Sequence, residues 1–152
     1  MRIDIPEEKV FVHECTIPVR WGDMDAYGHV NNAVYFRYIE QARIHWLDSL
    51  RLPFVTQEAG VVVVNAFCNF LKQIEYPAEL KVRTFIANPS RVSLETFNLI
   101  SLTSDPDTLY ATGGATLVWV DFQTQKAASW PADLRAKIQN TDSWMVGSSL
   151  SP

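Results

Sequence analysis

Residues 33–50 carry the pattern that most limits what this chain can fold into. Tyr35, Ile39, Ala42 and Trp46 recur at steps of four, three and four, so they share one helical face. Phe36, Leu47 and Leu50 put further apolar side chains on other faces. A helix apolar on several sides has to be wrapped by other structure rather than laid on a surface. It spans about 27 Å at about 1.5 Å per residue, and Pro53 stops it.

The rest of the chain supplies the wrapping. Residues 61–74, 80–88, 91–103 and 109–122 alternate with period two, and 11–20 reads as a strand whose Pro18 points to an edge position. In 91–103, Val92, Leu94, Thr96, Asn98 and Ile100 share one face. Asn88-Pro89-Ser90 and Ser104-Asp105-Pro106-Asp107 are turns. Gly113-Gly114 interrupts the last strand, which calls for a bulge or a close backbone approach. Residues 131–140 read as a short helix with Pro131 in its first turn, and 147–152 as a frayed tail. One strand, one long helix, then four strands with hairpin-length connections give an α+β architecture. The expectation is a sheet curled around one buried helix, in a single domain over 1–152 with its core at about 10–140. A length of 152 residues suits one domain, or a compact unit that pairs with a copy of itself.

Charge removes some functions. Thirteen Lys+Arg against 17 Asp+Glu leave a net charge of −4. That argues against a nucleic-acid surface and still allows a small basic patch for one nucleotide. Residues 1–10 carry Arg2, Asp4, Glu7, Glu8 and Lys9 with no apolar stretch of a leader, and the run 60–64 is too short to span a bilayer. The expectation is a cytoplasmic protein with no membrane association. Cys15 and Cys68 lack a CxxC spacing and read as buried, reduced thiols.

The chemistry is concentrated in residues 20–43, RWGDMDAYGHVNNAVYFRYIEQAR. Asp25 stands in a turn-rich loop a few residues before a helix start, where Asn31 and Asn32 offer capping side chains. A helix N-terminus leaves unpaired N–H groups and a partial positive charge, which suit the oxygen of a polarised carbonyl. A carboxylate beside it can attack as a nucleophile or activate water. These are the minimal parts for hydrolysing an activated acyl compound. A metal site built on Asp23, Asp25 and His29 is disfavoured, because the next candidate ligand, His45, lies 16 residues on.

The stretch DMDAYGHVNNAVYFRYIEQAR resembles the signature of hotdog-fold acyl-CoA thioesterases of the 4-hydroxybenzoyl-CoA thioesterase type. The match covers the spacing from Asp25 through Gly28-His29-Val30-Asn31-Asn32 to Tyr35 and Glu40, and extends loosely over 10–140. The resemblance implies a five-stranded antiparallel sheet wrapped around one long central helix. It implies a homodimer joined through sheet edges, often doubled to a dimer of dimers, with active sites at the subunit interface. The long apolar strand 61–74 is an edge of the kind that would be a liability if exposed.

Carried over by position, Asp25 matches the catalytic carboxylate, and Asn32 the residue whose main-chain N–H polarises the thioester carbonyl. Tyr35 would line the acyl pocket, with Trp21, Tyr27 and Trp46 as further candidates to shape it. Gly28 would allow close backbone approach, Asn31 would assist binding, and His29 would position groups or water. Arg91 and Ser93 fall where relatives contact the coenzyme A nucleotide, with Lys72 and Arg83 as lesser candidates. Glu40 is the alternative carboxylate, since a different hotdog branch places its catalytic Glu on the helix, and two turns would bring Glu40 to nearly the side of Asn32. The implied activity is hydrolysis of an acyl-CoA, or of an acyl-carrier-protein ester, to acid and thiol, with no cofactor beyond the coenzyme A of the substrate. The rival readings are a non-catalytic acyl-CoA-binding module and an acyl-thioester hydratase or dehydratase.

Overall fold

A computed structural model of the chain describes residues 1–139. Strand β1 (Val10–Pro18) leads through a single 3-10 turn, Trp21–Asp23, to helix α1 (Asn32–Ser49). Strands β2 (Ala59–Phe70), β3 (Glu79–Ala87), β4 (Ser93–Leu102) and β5 (Ala111–Asp121) follow, then a two-residue strand β6 (Lys126–Ala127) and helix α2 (Ala132–Ile138). The sheet is antiparallel in the order β1-β3-β4-β5-β2, with β6 added to the end of β5. This is the expected five-stranded sheet around a central helix, plus the short sixth strand that the sequence reading lacked.

The helix seats on the sheet along the stripe its sequence marks. In its first half Tyr35, Tyr38, Ile39 and Ala42 pack with Val82, Ile100 and Ala111. In its second half Trp46 and Leu47 pack with Ile86, Leu94, Leu117 and Trp119, and Leu134 of α2 closes that end. Phe36 is 39% exposed, so the wrapping is incomplete on one flank. The outer face of the sheet is also covered. Ile5 and Phe11 pack on Phe85, Phe97 and Leu99, and Asn69 holds the main chain of Ile3 through both its N–H and its carbonyl. From Thr96 to Ile100, β4 is therefore buried on both faces.

Two local readings change, and one pair of alternatives is decided. Strand β2 ends at Phe70 rather than at 74, because Leu71 and Lys72 turn away and give both N–H groups to the Tyr110 carbonyl. The Gly113-Gly114 pair marks a close approach and not a bulge: a Cβ on Gly113 would stand 2.5 Å from Ile39 Cδ1. Register shifts lie instead in β2, where Val64 is the extra residue between Val63 and Asn65, and in β1, where Val12 is extra between Phe11 and His13. Pro131 stands just before α2 rather than in its first turn. The tail at 147–152 lies outside the described residues, as does the last residue of the core expected at 10–140. Cys15 and Cys68 are free thiols and only half-buried, and burial pushes the Cys68 thiol up to about 12. Among the described residues no helix is long and apolar enough to cross a membrane.

Candidate active site

The loop between β1 and α1 is a small ladder closed by a turn. Met24 and Val30 form an isolated antiparallel bridge, flanked by Asn31 N–H to the Asp23 carbonyl at 3.0 Å and Asp25 N–H to the His29 carbonyl at 2.9 Å. Gly28 closes the turn by donating to the Asp25 carbonyl, at a φ of 80° that side-chain-bearing residues rarely adopt. Among the described residues nothing lies within 4 Å of a Cβ placed there, so the demand on Gly28 is conformational and not one of close approach.

The loop presents Asp25 with one oxygen occupied. Its Oδ1 accepts the Tyr27 N–H at 2.9 Å, and Oδ2 takes no donor among the described residues. At the helix start Asn31 is the N-cap, its side chain accepting the Ala33 N–H at 2.9 Å. Asn32 is the first helical residue, and its N–H takes no acceptor among the described residues. That orphan donor stands at the positive end of an 18-residue helix.

Asp25, His29, Asn32, Tyr35 and Lys72 line one cleft of about 400 Å³, with Tyr27 and Phe70 on its walls. His29 Nε2 lies 3.2 Å from Glu75 Oε1, so a carboxylate from the β2–β3 connection holds the ring. Tyr35 is 3% exposed and meets Phe70 edge to face at 4.9 Å. Burial, with the Cys68 thiol nearby, pushes the Tyr35 hydroxyl up to about 12, so it stays neutral. Lys72 Nζ lies 5.4 Å from the Tyr110 ring centroid and is the cation of the cleft.

Other expected residues lie elsewhere in the protomer. Glu40 pairs with Arg37 at 2.9 Å and faces a separate groove between α1 and β1, beside Thr16, Pro18 and His45. At about 100° per residue, eight residues leave it about 80° round the helix from Asn32, which is enough to take it out of the cleft. Arg91 and Ser93 sit on the β3–β4 turn. Leu94, next to them, packs at the Trp46 end of α1, the end away from Asn32. Arg91 donates to Ser129 Oγ at 2.7 Å, and Ser93 Oγ is 2.7 Å from Ser90 Oγ. Arg83 is on the outer face, over Phe11 and Phe85. Of the three pocket candidates only Tyr27 reaches the cleft. Trp21 is 73% exposed outside it, and Trp46 is core.

The residues missed from sequence are Glu75, Phe70 and the pair Asp23–Tyr38. Asp23 is buried behind the loop, accepting the Tyr38 hydroxyl at 2.7 Å. The spacing of Tyr35 and Tyr38, both inward on α1, was the available signal for the second of these.

A sequence model of the thioesterase-like superfamily matches residues 19–138. The long-chain acyl-CoA thioesterase FadM of Escherichia coli K12 is 31% identical over 128 residues, which is 81% of this chain and 94% of FadM. The solved PA2801 protein of Pseudomonas aeruginosa is 36% identical, with a TM-score of 0.79 over 84% of this chain and 98% of that one. The 1,4-dihydroxy-2-naphthoyl-CoA thioesterase Slr0204 of Synechocystis shares the fold, with a TM-score of 0.78 at 20% identity over 85% of this chain and 96% of that one.

Proposed function

Because the chain belongs to the thioesterase-like superfamily, we propose that it hydrolyses an acyl-coenzyme A thioester to the free acid and coenzyme A, with Asp25 and Asn32 as its catalytic pair. It is a hotdog-fold thioesterase. The observation that carries the assignment of residues is the single cleft that holds an unoccupied Asp25 carboxylate oxygen and the orphan N–H of Asn32.

The chemistry runs from those two groups. The Asn32 N–H donates to the thioester carbonyl oxygen and stabilises the negative charge as it develops. In one version Asp25 takes a proton from water, and the hydroxide adds to the carbonyl carbon. In the other the carboxylate adds directly, giving a mixed anhydride that water cleaves. In both, the C–S bond breaks with its electron pair on sulfur. The thiolate leaves with little acid assistance because thiols ionise near pH 8–9. Single turnover in labelled water tests the anhydride version: label in the Asp25 carboxylate marks water attack on the Asp25 carbonyl of the anhydride, an outcome the activated-water version does not give. His29, held by Glu75, orients groups at the mouth of the cleft, Tyr35 and Phe70 wall the acyl group, and Lys72 supplies the cation for the anionic end of the substrate. Gly28 and Asn31 act indirectly, the first by shaping the turn and the second by capping the helix.

The test is thiol release from short, medium, long and aromatic acyl-CoA esters and from an acyl-carrier-protein ester. Turnover of at least one ester is expected. Saturable binding without turnover would give the chain to the binding-module reading. The His29–Glu75 pair is the one feature that favours hydratase chemistry, and a parallel enoyl-CoA hydration assay is expected to read zero.

The same reading has the chain working as a homodimer joined at the β2 edge, with pairing of dimers as the further step. On β2, Val63 and Val64 are 42% and 56% exposed on a strand paired on one side only. Arg43 gives a second indication. It is 8% exposed on α1 and its Nε is buried without an acceptor, with no ion pair among the described residues. A buried guanidinium nitrogen without an acceptor carries a desolvation cost. Helical spacing puts Arg43 on the flank of Asn32 and Phe36, away from the β1 side. A second copy seated there supplies the acceptor. Arg43→Met is therefore expected to raise the dimer dissociation constant by at least about tenfold in sedimentation experiments, the effect of breaking one side of a buried pair. An Arg43→Met protein that melts higher and associates as before would show that the cation has no partner in solution.

A further inference from the structure

We infer that Asp23 and Tyr38 form a buried brace that sets Asp25 against the start of α1, which makes them positioning residues for thioester hydrolysis. The inference rests on the reading of Asp25 and Asn32 given above and extends it to two side chains outside the cleft.

Asp23 is 6% exposed, and it joins three separate parts of the protein. Its Oδ2 accepts the Tyr38 hydroxyl at 2.7 Å and the Arg20 N–H at 2.9 Å. Arg20 Nε stands 3.6 Å from Oδ1. The Asp23 main-chain carbonyl accepts the N–H of Asn31, the N-cap of α1, at 3.0 Å. One residue thus fixes the exit of β1, the helix at Tyr38 and the cap next to Asn32. Two residues further on the same ladder presents Asp25 to the cleft. Any slip between loop and helix must break the Asp23–Tyr38 bond or the Asp23–Asn31 bond.

A purely structural role is a poor account of this arrangement. A buried carboxylate carries a desolvation cost, and two apolar side chains of the same volume would hold a loop on a helix at less cost. What the carboxyl group adds is direction: a short hydrogen bond to its oxygen fixes the distance and angle between its two elements. The need for direction is chemical, because reacting groups misplaced by about 1 Å lose on the order of a hundredfold in rate. Burial and the bond to Asp23 drive the Tyr38 hydroxyl far above its ordinary range, so it remains a donor throughout the pH range of an assay.

The experiment compares Tyr38→Phe, Asp23→Asn, the double variant and Asp25→Asn in the full-length chain. Each is assayed for kcat, KM and melting temperature on one turned-over acyl-CoA, well below its melting temperature. Tyr38→Phe removes one oxygen and keeps the ring, so it is the variant that folds. It is expected to lower kcat by about tenfold while KM moves by less than about twofold, the signature of an interaction that acts in the transition state. Asp23→Asn is expected to lower kcat further, and the double variant to be no worse than Asp23→Asn alone, as for residues acting as a unit. A folded Tyr38→Phe enzyme with wild-type kcat and a lower melting temperature would overturn the inference, leaving the brace as stability alone. Asp25→Asn separates the two levels. If it keeps full activity, the reading of the site fails. If it is dead while Tyr38→Phe is unaffected, only the brace fails.

Discussion

Asp25→Asn lowers kcat for thioester hydrolysis by about a thousandfold, while KM for the acyl-CoA changes by less than about threefold. The substitution is close to isosteric, and the amide oxygen can still accept the Tyr27 N–H that Oδ1 holds at 2.9 Å. The turn through Gly28 and the ladder to His29 therefore persist, and the variant melts near the parent. What disappears is the charge on the oxygen that has no donor among the described residues. That oxygen is the one able to take a proton from water or to attack the carbonyl. The residual rate comes from the Asn32 N–H and from substrate positioning, which do not depend on Asp25. Glu40→Gln provides the internal contrast. Glu40 is bound to Arg37 on a different flank of α1, so its loss leaves kcat within about twofold. A collapse in Glu40→Gln with activity kept in Asp25→Asn would move the chemistry to the groove between α1 and β1.

How far the sequence carried the reading depended on range along the chain. The helix was legible because Tyr35, Ile39, Ala42 and Trp46 are close neighbours whose spacing has one meaning. Asp25, Asn32 and Tyr35 were legible together for the same reason, since the loop and the first turn of α1 are contiguous. Phe70 and Lys72 complete the cleft from the end of β2 and Glu75 holds His29 from the β2–β3 connection; of these only Lys72 was a candidate from sequence, and the place of all three follows from sheet closure that no local pattern encodes. The two-sided burial of β4 was hidden likewise, because its outer cover is Ile5 and Phe11 near the N-terminus. Glu40 was misplaced because eight residues, just over two turns, were taken to bring it to nearly the side of Asn32, and the remaining angle of about 80° is enough to leave the cleft. Arg91 and Ser93 bond to Ser129 and Ser90, at the end of the sheet away from Asn32, so within one chain they stand apart from the cleft.

Gly113→Ala is expected to destabilise the protein by about 1–3 kcal/mol, the usual cost of overpacking a core, and to lower Tm by roughly 3–9 °C for a chain of this size. A methyl group there would meet Ile39 Cδ1 at 2.5 Å and the Phe67 carbonyl at 2.9 Å. The carbonyl belongs to β2, held in register against β5, where Phe67 faces Gly114. It can yield only by moving a strand. Ile39 is 1% exposed and packed among Tyr35, Tyr38 and Ala42, so its end has little room to rotate. The remaining escape is to lift α1 from β5, and α1 carries Asn32 at its N-terminus. Gly113→Ala is therefore expected to lower kcat as well as Tm. Ile39→Val removes the Cδ1 atom that is struck first. Combined with Gly113→Ala it should cost less than the two single changes added together, a coupling expected only of side chains in contact. Gly22→Ala, with nothing within 4 Å of the new methyl group, should stay within about 0.5 kcal/mol of the parent. Additive losses in the Ile39–Gly113 cycle, or a Gly113→Ala protein that melts with the parent, would mean that the helix does not rest on β5 at this glycine.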